Sequence, residues 1–297
     1  MNFSGGSEII MKDNKYKLIN HVEIINRYAT FSTEKNDVIF GIDKIKYPIF
    51  CGGFVNNFSN NIYNWEKNEF VGYLSYKNDL NIVLSSNLIC KLNYEDKNLM
   101  FILPYASYAM KILRMINPKL GNKILIIGLN FFSILLKKLM DFSGADIFIV
   151  KLENDYYNNE NWTDEFQILD GMNEVFIKLN KMPIDSLILT SNLNQIENKS
   201  LSNLNIKKKM PLNQISIYDK GFEDLNYLRG IQYPYPYVRW DFKKNLEYFI
   251  YLVENDYVNL KFLQYIIIEV NSISMLANKF KNLEKNCLYL FKLLSES

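Results

Sequence analysis

The sequence predicts an α/β protein in which a small irregular β domain is interrupted by a doubly wound parallel sheet. Three observations carry this. Residues 1–100 hold short stretches of β-branched and aromatic residues separated by turns. From residue 123 onward, continuous apolar runs alternate with amphipathic stretches at the spacing of right-handed parallel units. A length of 297 residues suits about two domains at roughly 150 residues each.

In the first part, residues 17–25, 37–40, 70–75 and 80–84 read as strands, with Gly41, the Gly52-Gly53 pair and Gly72 as punctuation. Residues 105–116 carry apolar side chains at helical spacing, stopped by the turn Asn117-Pro118-Lys119-Leu120-Gly121. Lys123–Ile127 is a continuous apolar run ending at Gly128, the pattern of a buried parallel strand. Residues 131–142 follow as an amphipathic helix with Lys137 and Lys138 outward, closed by a C-cap at Ser143-Gly144. A second buried strand is expected at 146–150, then a helix at 164–179 and strands at 185–190 and 214–218. A helix at 243–254, a strand at 262–270 and a helix at 274–282 complete the reading.

Composition removes several function classes. Net charge is +2, from 34 basic and 32 acidic residues, so there is no electrostatic footprint for nucleic acid or an anionic membrane. The longest apolar runs, such as 123–136 with Gly128 and Asn130 inside, fall short of the ~20 residues a span needs. Residues 1–10 have neither a basic nor an apolar signal-peptide region. Three widely spaced cysteines, Cys51, Cys90 and Cys287, argue against a disulfide framework and for a reducing cytoplasm. The chain holds 39 Asn, 35 Ile and 30 Lys against 5 Ala, 4 Arg and 12 Gly, a drift toward A/T-rich codons. An Asn or Lys therefore says little here, and a Gly or Arg says more.

The turn after the first parallel strand reads Gly128-Leu129-Asn130-Phe131-Phe132-Ser133. A dinucleotide site needs a strand, a tight glycine turn and a helix whose free N–H groups face the pyrophosphate, with the signature G-x-G-x-x-G. The first glycine is present. Asn130 stands in the second position, where its side chain crowds the approach to phosphate, and Ser133 in the third. A plain strand and helix without ligand explains these residues equally well. At the end of the next strand stands Lys151, where NAD sites carry an acid. It reads either as a partner for the 2′-phosphate of NADP or as a solvated lysine.

Several segments together resemble the medium-chain dehydrogenase/reductase superfamily, the relatives of zinc-type alcohol dehydrogenases. Tyr47-Pro48-Ile49-Phe50-Cys51-Gly52-Gly53-Phe54-Val55 resembles the family's Tyr-Pro-x-x-x-Gly-His-Glu stretch. Leu103-Pro104-Tyr105-Ala106-Ser107-Tyr108-Ala109 resembles its entry into the cofactor domain, and residues 118–128 its lead into the first Rossmann strand. Asp185-Ser186-Leu187-Ile188-Leu189-Thr190-Ser191 resembles the fourth strand. Pro234-Tyr235-Pro236-Tyr237-Val238-Arg239-Trp240, with Asn245 and Leu246 following, resembles reductase-like members tied to sugar or pigment biosynthesis.

The resemblance implies a GroES-like β domain (1–103 plus 237–297) interrupted by a Rossmann domain (104–236), with the active cleft between them. It also implies departures. At the positions of the catalytic zinc ligands stand Phe31 or Ser32, Gly53 and Phe54, and the four-cysteine zinc lobe is missing. The implied activity is a zinc-independent, NADP(H)-linked reduction of a small carbonyl or activated alkene in a biosynthetic pathway. Gly128, Asn130, Phe131 and Ser133 would meet the pyrophosphate, Lys151 the 2′-phosphate, and Thr190 with Ser191 the nicotinamide side. Tyr105, Tyr108 and Tyr237 are the candidate proton donors. Arg239 reads as a clamp on a substrate anion or as an arginine stacked on Trp240 or Tyr237. His21, the only histidine, has no nucleophile elbow near it, and Lys207-Lys208-Lys209 reads as a solvated loop. A homodimer, with no nucleic-acid or membrane partner, is expected. The alternative is a degenerate, non-catalytic member serving as a partner or scaffold subunit.

Overall fold

The structure, a computed structural model, describes residues 21–32, 49–59, 64–75, 79–93, 95–152, 167–171, 174, 184–190, 215–216, 242–272, 275, 279, 283 and 287–294. The chain divides into two compact units. One holds Met1–Thr33, Asp43–Ser107 and Lys220–Ser297, the other Glu34–Ile42 and Tyr108–Asp219.

The first unit is built on a mixed sheet of seven strands. Strands β1 (His21–Ser32), β2 (Ile49–Phe58), β3 (Phe70–Ser75), β4 (Asn81–Ser85) and β5 (Cys90–Lys91) come from the first part of the chain. Strands β11 (Ile266–Val270) and β12 (Leu288–Leu293) come from its end. The order is β11-β12-β1-β2-β3-β5, with β4 also paired to β1. β1 changes neighbour along its length: His21–Ile25 pairs with β4 and Tyr28–Ser32 with β12. At the changeover Asn26 is buried and satisfied, its N–H donating to Leu80 O at 2.8 Å and its Oδ1 accepting from the Tyr73 hydroxyl. Val22, Ile24, Phe31, Phe50, Val71 and Phe291 lie in the apolar core beneath.

The Gly52-Gly53 pair lies in the middle of β2 and does not end a strand. A Cβ on Gly53 would run into the carbonyl oxygen of Ile25, and one on Gly52 would sit 2.5 Å from Met100 Sδ. Glycine is needed because two strands and a helix approach closely here. β2 and β12 are strands that the sequence reading did not contain. The glycines broke the pattern of the first, and the second reads as an undivided apolar run.

The helix expected at 105–116 begins earlier. α1 (Lys97–Ile116) has 20 residues, with Pro104 inside. Its length and mean hydropathy of 1.3 would suit a membrane span, contrary to the expectation that no stretch does, yet 67% of that window is buried within the protein. Its first turn is capped by Asp96 Oδ1, which accepts from the Leu99 N–H at 2.8 Å. Phe101 stacks on Tyr265 at 4.9 Å. α3 (Phe242–Glu254) forms as the periodicity predicts. The strand expected at 262–270 starts only at Ile266, because Leu263 N–H closes a turn on Leu260 O at 3.0 Å.

The second unit is a five-stranded parallel sheet. Strands β6 (Lys123–Ile127), β7 (Asp146–Lys151), β8 (Ile168–Asp170), β9 (Ser186–Leu189) and β10 (Ile215–Ser216) lie in the order β10-β9-β6-β7-β8. α2 (Phe131–Met140) follows β6, and Gly144 closes the next turn at φ 69°. Ile168–Asp170 overturns part of the helix expected at 164–179. Ile168 and Leu169 sit in register beside Ile149 and Val150, giving the outer edge of β7 a partner. The apolar spacing of that segment did not separate strand from helix. The strand expected at 37–40 lies outside the described residues, as does most of the helix expected at 274–282.

Replacing Gly53 with alanine should cost about 3 kcal/mol, because the new methyl group meets backbone rather than a movable side chain. Chemical denaturation of the purified variant checks this. An unchanged midpoint would mean that β1 and β2 are less closely apposed than described.

Candidate dinucleotide site

In the second unit, the chain runs from β6 outward through β7 and β8, then returns to place β9 on the other side of β6. The carboxyl ends of β6 and β9 therefore form the topological switch point, where open parallel sheets take their ligands. Gly128 at the end of β6 has φ 111°, a conformation that side-chain-bearing residues rarely adopt. Its N–H still donates to Val150 O on β7 at 2.9 Å, and the chain then leaves the sheet for α2. Thr190, 1% exposed at the end of β9, shares its hydroxyl between Ile127 O at 3.1 Å and Gly128 O at 2.9 Å. The two strand ends are thereby tied together.

Asn130 is the N-cap of α2. Its Oδ1 accepts from the Ser133 N–H at 2.9 Å, and Ser133 Oγ accepts from the Asn130 N–H at 3.0 Å, a reciprocal capping box. The other end of the carboxamide crosses the switch point, with Nδ2 donating to Thr190 O at 3.0 Å. Asn130 and Ser133 therefore do more than stand in two glycine positions of the fingerprint: together they cap the helix. The signal was present, because Asn followed three residues later by a hydroxyl side chain has the spacing of a cap.

The frame fits a dinucleotide: a positive-φ glycine, a parallel strand, and a helix N-terminus at the switch point. One side chain departs from it. The Asn130 carboxamide holds the place at the helix N-terminus that a phosphate oxygen takes in such sites. Leu129, Asn130, Phe131, Phe132 and Ser133 are all buried.

Lys151 ends β7, half-buried as expected for a residue at the rim. In register beside it on β8 stands Asp170, which sequence reasoning missed because those residues were assigned to a helix. The lysine proposed for a 2′-phosphate thus has a carboxylate on the neighbouring strand. Tyr108 lies half-buried on α1. Ser191, Tyr237 and Arg239 lie outside the described residues, so their places in the sequence reading stay expectations. His21 lies at the start of β1.

The positions matched to zinc ligands supply no ligand. Phe31 is in the core, Gly53 has no side chain, and Phe54 packs its ring 5.1 Å from that of Phe70. Among the described residues no three His, Cys, Asp or Glu side chains converge. Cys51 is buried with Sγ 3.6 Å from Tyr28 O, and burial pushes its thiol well above the usual cysteine range.

No protein-family model matches this sequence, and no curated protein matches it. Solved structures do. A CurK enoyl reductase aligns over 95% of this chain and 93% of its own, at 13% identity and TM-score 0.63. A quinone oxidoreductase from Coxiella burnetii aligns over 93% and 91%, at 14% identity and TM-score 0.58. The 2R,3R-butanediol dehydrogenase from Bacillus subtilis aligns over 95% of each chain, at 11% identity and TM-score 0.58. At such identity the likeness gives the fold alone; the neighbours have the medium-chain dehydrogenase/reductase fold, with a GroES-like unit and a Rossmann unit.

Thr190→Val should lower stability by about 1–2 kcal/mol, since it removes the hydroxyl that joins the ends of β6 and β9 and strips Gly128 O of that partner. Thr190→Ser should recover most of the loss. Thermal melts of the three proteins check this, and a loss in Thr190→Ser with none in Thr190→Val would assign the effect to packing of the methyl group.

Proposed function

We propose that this chain is a zinc-independent oxidoreductase of the reductase type, linked to NADP(H) and acting on a small carbonyl or activated alkene in a biosynthetic pathway. One observation carries the reading. The Gly128 turn, with its positive φ, delivers the N-terminus of α2 to the switch point beside Thr190. The names of the structural neighbours, an enoyl reductase and a quinone oxidoreductase among them, support the reaction class. The missing zinc ligands at Phe31, Gly53 and Phe54 support a metal-free version of it.

In this reading the backbone from Gly128 to Ser133 meets the pyrophosphate. Thr190 and Ser191 line the nicotinamide side, and Lys151 reaches the 2′-phosphate. Bound there, NADPH would supply the hydride. Tyr108 or Tyr237 would hold the proton that the reduced product takes up, and Arg239 would orient an anionic group of the substrate. A second reading, a non-catalytic partner subunit, is favoured by the Asn130 side chain lying where phosphate would bind.

Titration with NADPH and NADH, followed by nucleotide fluorescence and by melting, separates the two. A ligand at 100 times its dissociation constant should add about 2.7 kcal/mol to stability. The reductase reading expects NADPH to bind several-fold tighter than NADH, with Lys151→Asp erasing the difference. A partly exposed pair of this kind is worth on the order of 1 kcal/mol. Equal binding would keep the enzyme and remove Lys151 from the site. No binding of either nucleotide at millimolar concentration, with Asn130→Gly failing to rescue it, would favour the partner subunit. Elemental analysis should find far less than one zinc per chain, and stoichiometric zinc would overturn the metal-free reading.

A further inference from the structure

We infer that Asn130 is a built-in occupant of the phosphate position, a latch that holds the switch point shut and must rotate away before a dinucleotide can enter. The inference rests on the reading of this turn as a cofactor site, and it concerns how the site opens.

One carboxamide does two jobs at once. Its oxygen takes the Ser133 N–H at the head of α2, as an anion's oxygen would. Its nitrogen donates to Thr190 O on the far side of the switch point. Together they close the gap between the end of β9 and the start of α2 with a single side chain. Asn130 is 6% exposed, Phe131 1% and Ser133 0%, so in this state the turn offers a ligand almost no surface. Both bonds belong to one side chain, so one rotation breaks both. The rest of the turn does not depend on it. The Gly128 N–H stays on Val150 O, and the Thr190 hydroxyl stays on Ile127 O and Gly128 O. Opening is therefore local. It leaves the β6 ladder intact and frees the Ser133 N–H at the helix N-terminus.

Two consequences follow. Apparent affinity is reduced by the fraction of molecules that are open. The observed association rate levels off at high nucleotide concentration, where opening limits it.

Stopped-flow fluorescence with NADPH tests this on the full chain, wild type against Asn130→Gly, Asn130→Ser and Asn130→Asp. Glycine at an N-cap costs little stability, so the first variant should fold. It should bind NADPH at least about tenfold tighter, with a rate that rises linearly with concentration. Serine keeps the cap and is too short to reach Thr190 O, so Asn130→Ser should fall between the two. Aspartate keeps the cap and places a negative charge against the phosphate, so Asn130→Asp should melt near the wild type and bind least. Wild type and Asn130→Gly binding equally tightly, both with linear rates, would overturn the latch and leave the cofactor reading standing. Folded Asn130→Gly that binds no NADPH at millimolar concentration would overturn both.

Discussion

The second unit depends on one strand. β6 is bonded along both edges, to β7 from Lys123 to Ile127 and to β9 from Ile124 to Ile127, and Ile124 through Ile127 are buried. A strand in that position cannot shift register without moving both neighbours. Its end is therefore a fixed point, and the Gly128 turn, the cap of α2 and Thr190 are all positioned from it. Apolar side chains on both faces give the unit its core, and the exhausted backbone bonding gives the turn its precision. The first unit has a different anchor, the close approach of β1 and β2 at Gly53, which only a residue without a side chain allows.

Those two anchors differ in how plainly the sequence shows them. Lys-Ile-Leu-Ile-Ile followed by Gly is legible because a doubly buried parallel strand has no polar face to confuse it. Phe70–Ser75 and Phe242–Glu254 are legible for related reasons, one from its β-branched and aromatic content and the other from its helical period. Ile49–Phe58 is hidden because its two glycines answer to a neighbour across the sheet, and nothing local says so. Ile168–Asp170 is hidden because three residues of strand beside β7 carry too little pattern to compete with a longer helical spacing. The edge partner that makes them a strand is distant in sequence.

The candidate site shows the same division. The place of the turn could be read from the glycine and the flanking periods. The state of the turn could not, because it depends on the carbonyl of Thr190, sixty residues away in sequence, meeting Asn130 Nδ2. In a chain with 39 asparagines, Asn130 looks like compositional background. Its burial and its three hydrogen-bonding roles set it apart, and only the folded chain reveals those. Lys151 is the converse case. It looked informative in the sequence, and the strand that sets Asp170 in register beside it was not legible there.

The length and apolarity of α1 matter most before the protein has folded. As the chain leaves the ribosome, Lys97–Ile116 emerges with the hydropathy of a membrane segment. One of its covers arrives late: Tyr265, which stacks on Phe101, is made long after the helix. During synthesis this helix is an exposed apolar stretch until the segment around Tyr265 has been made. That interval is when a chaperone holds such a chain or when it aggregates. The interrupted order of the first unit thus sets a cost in biogenesis.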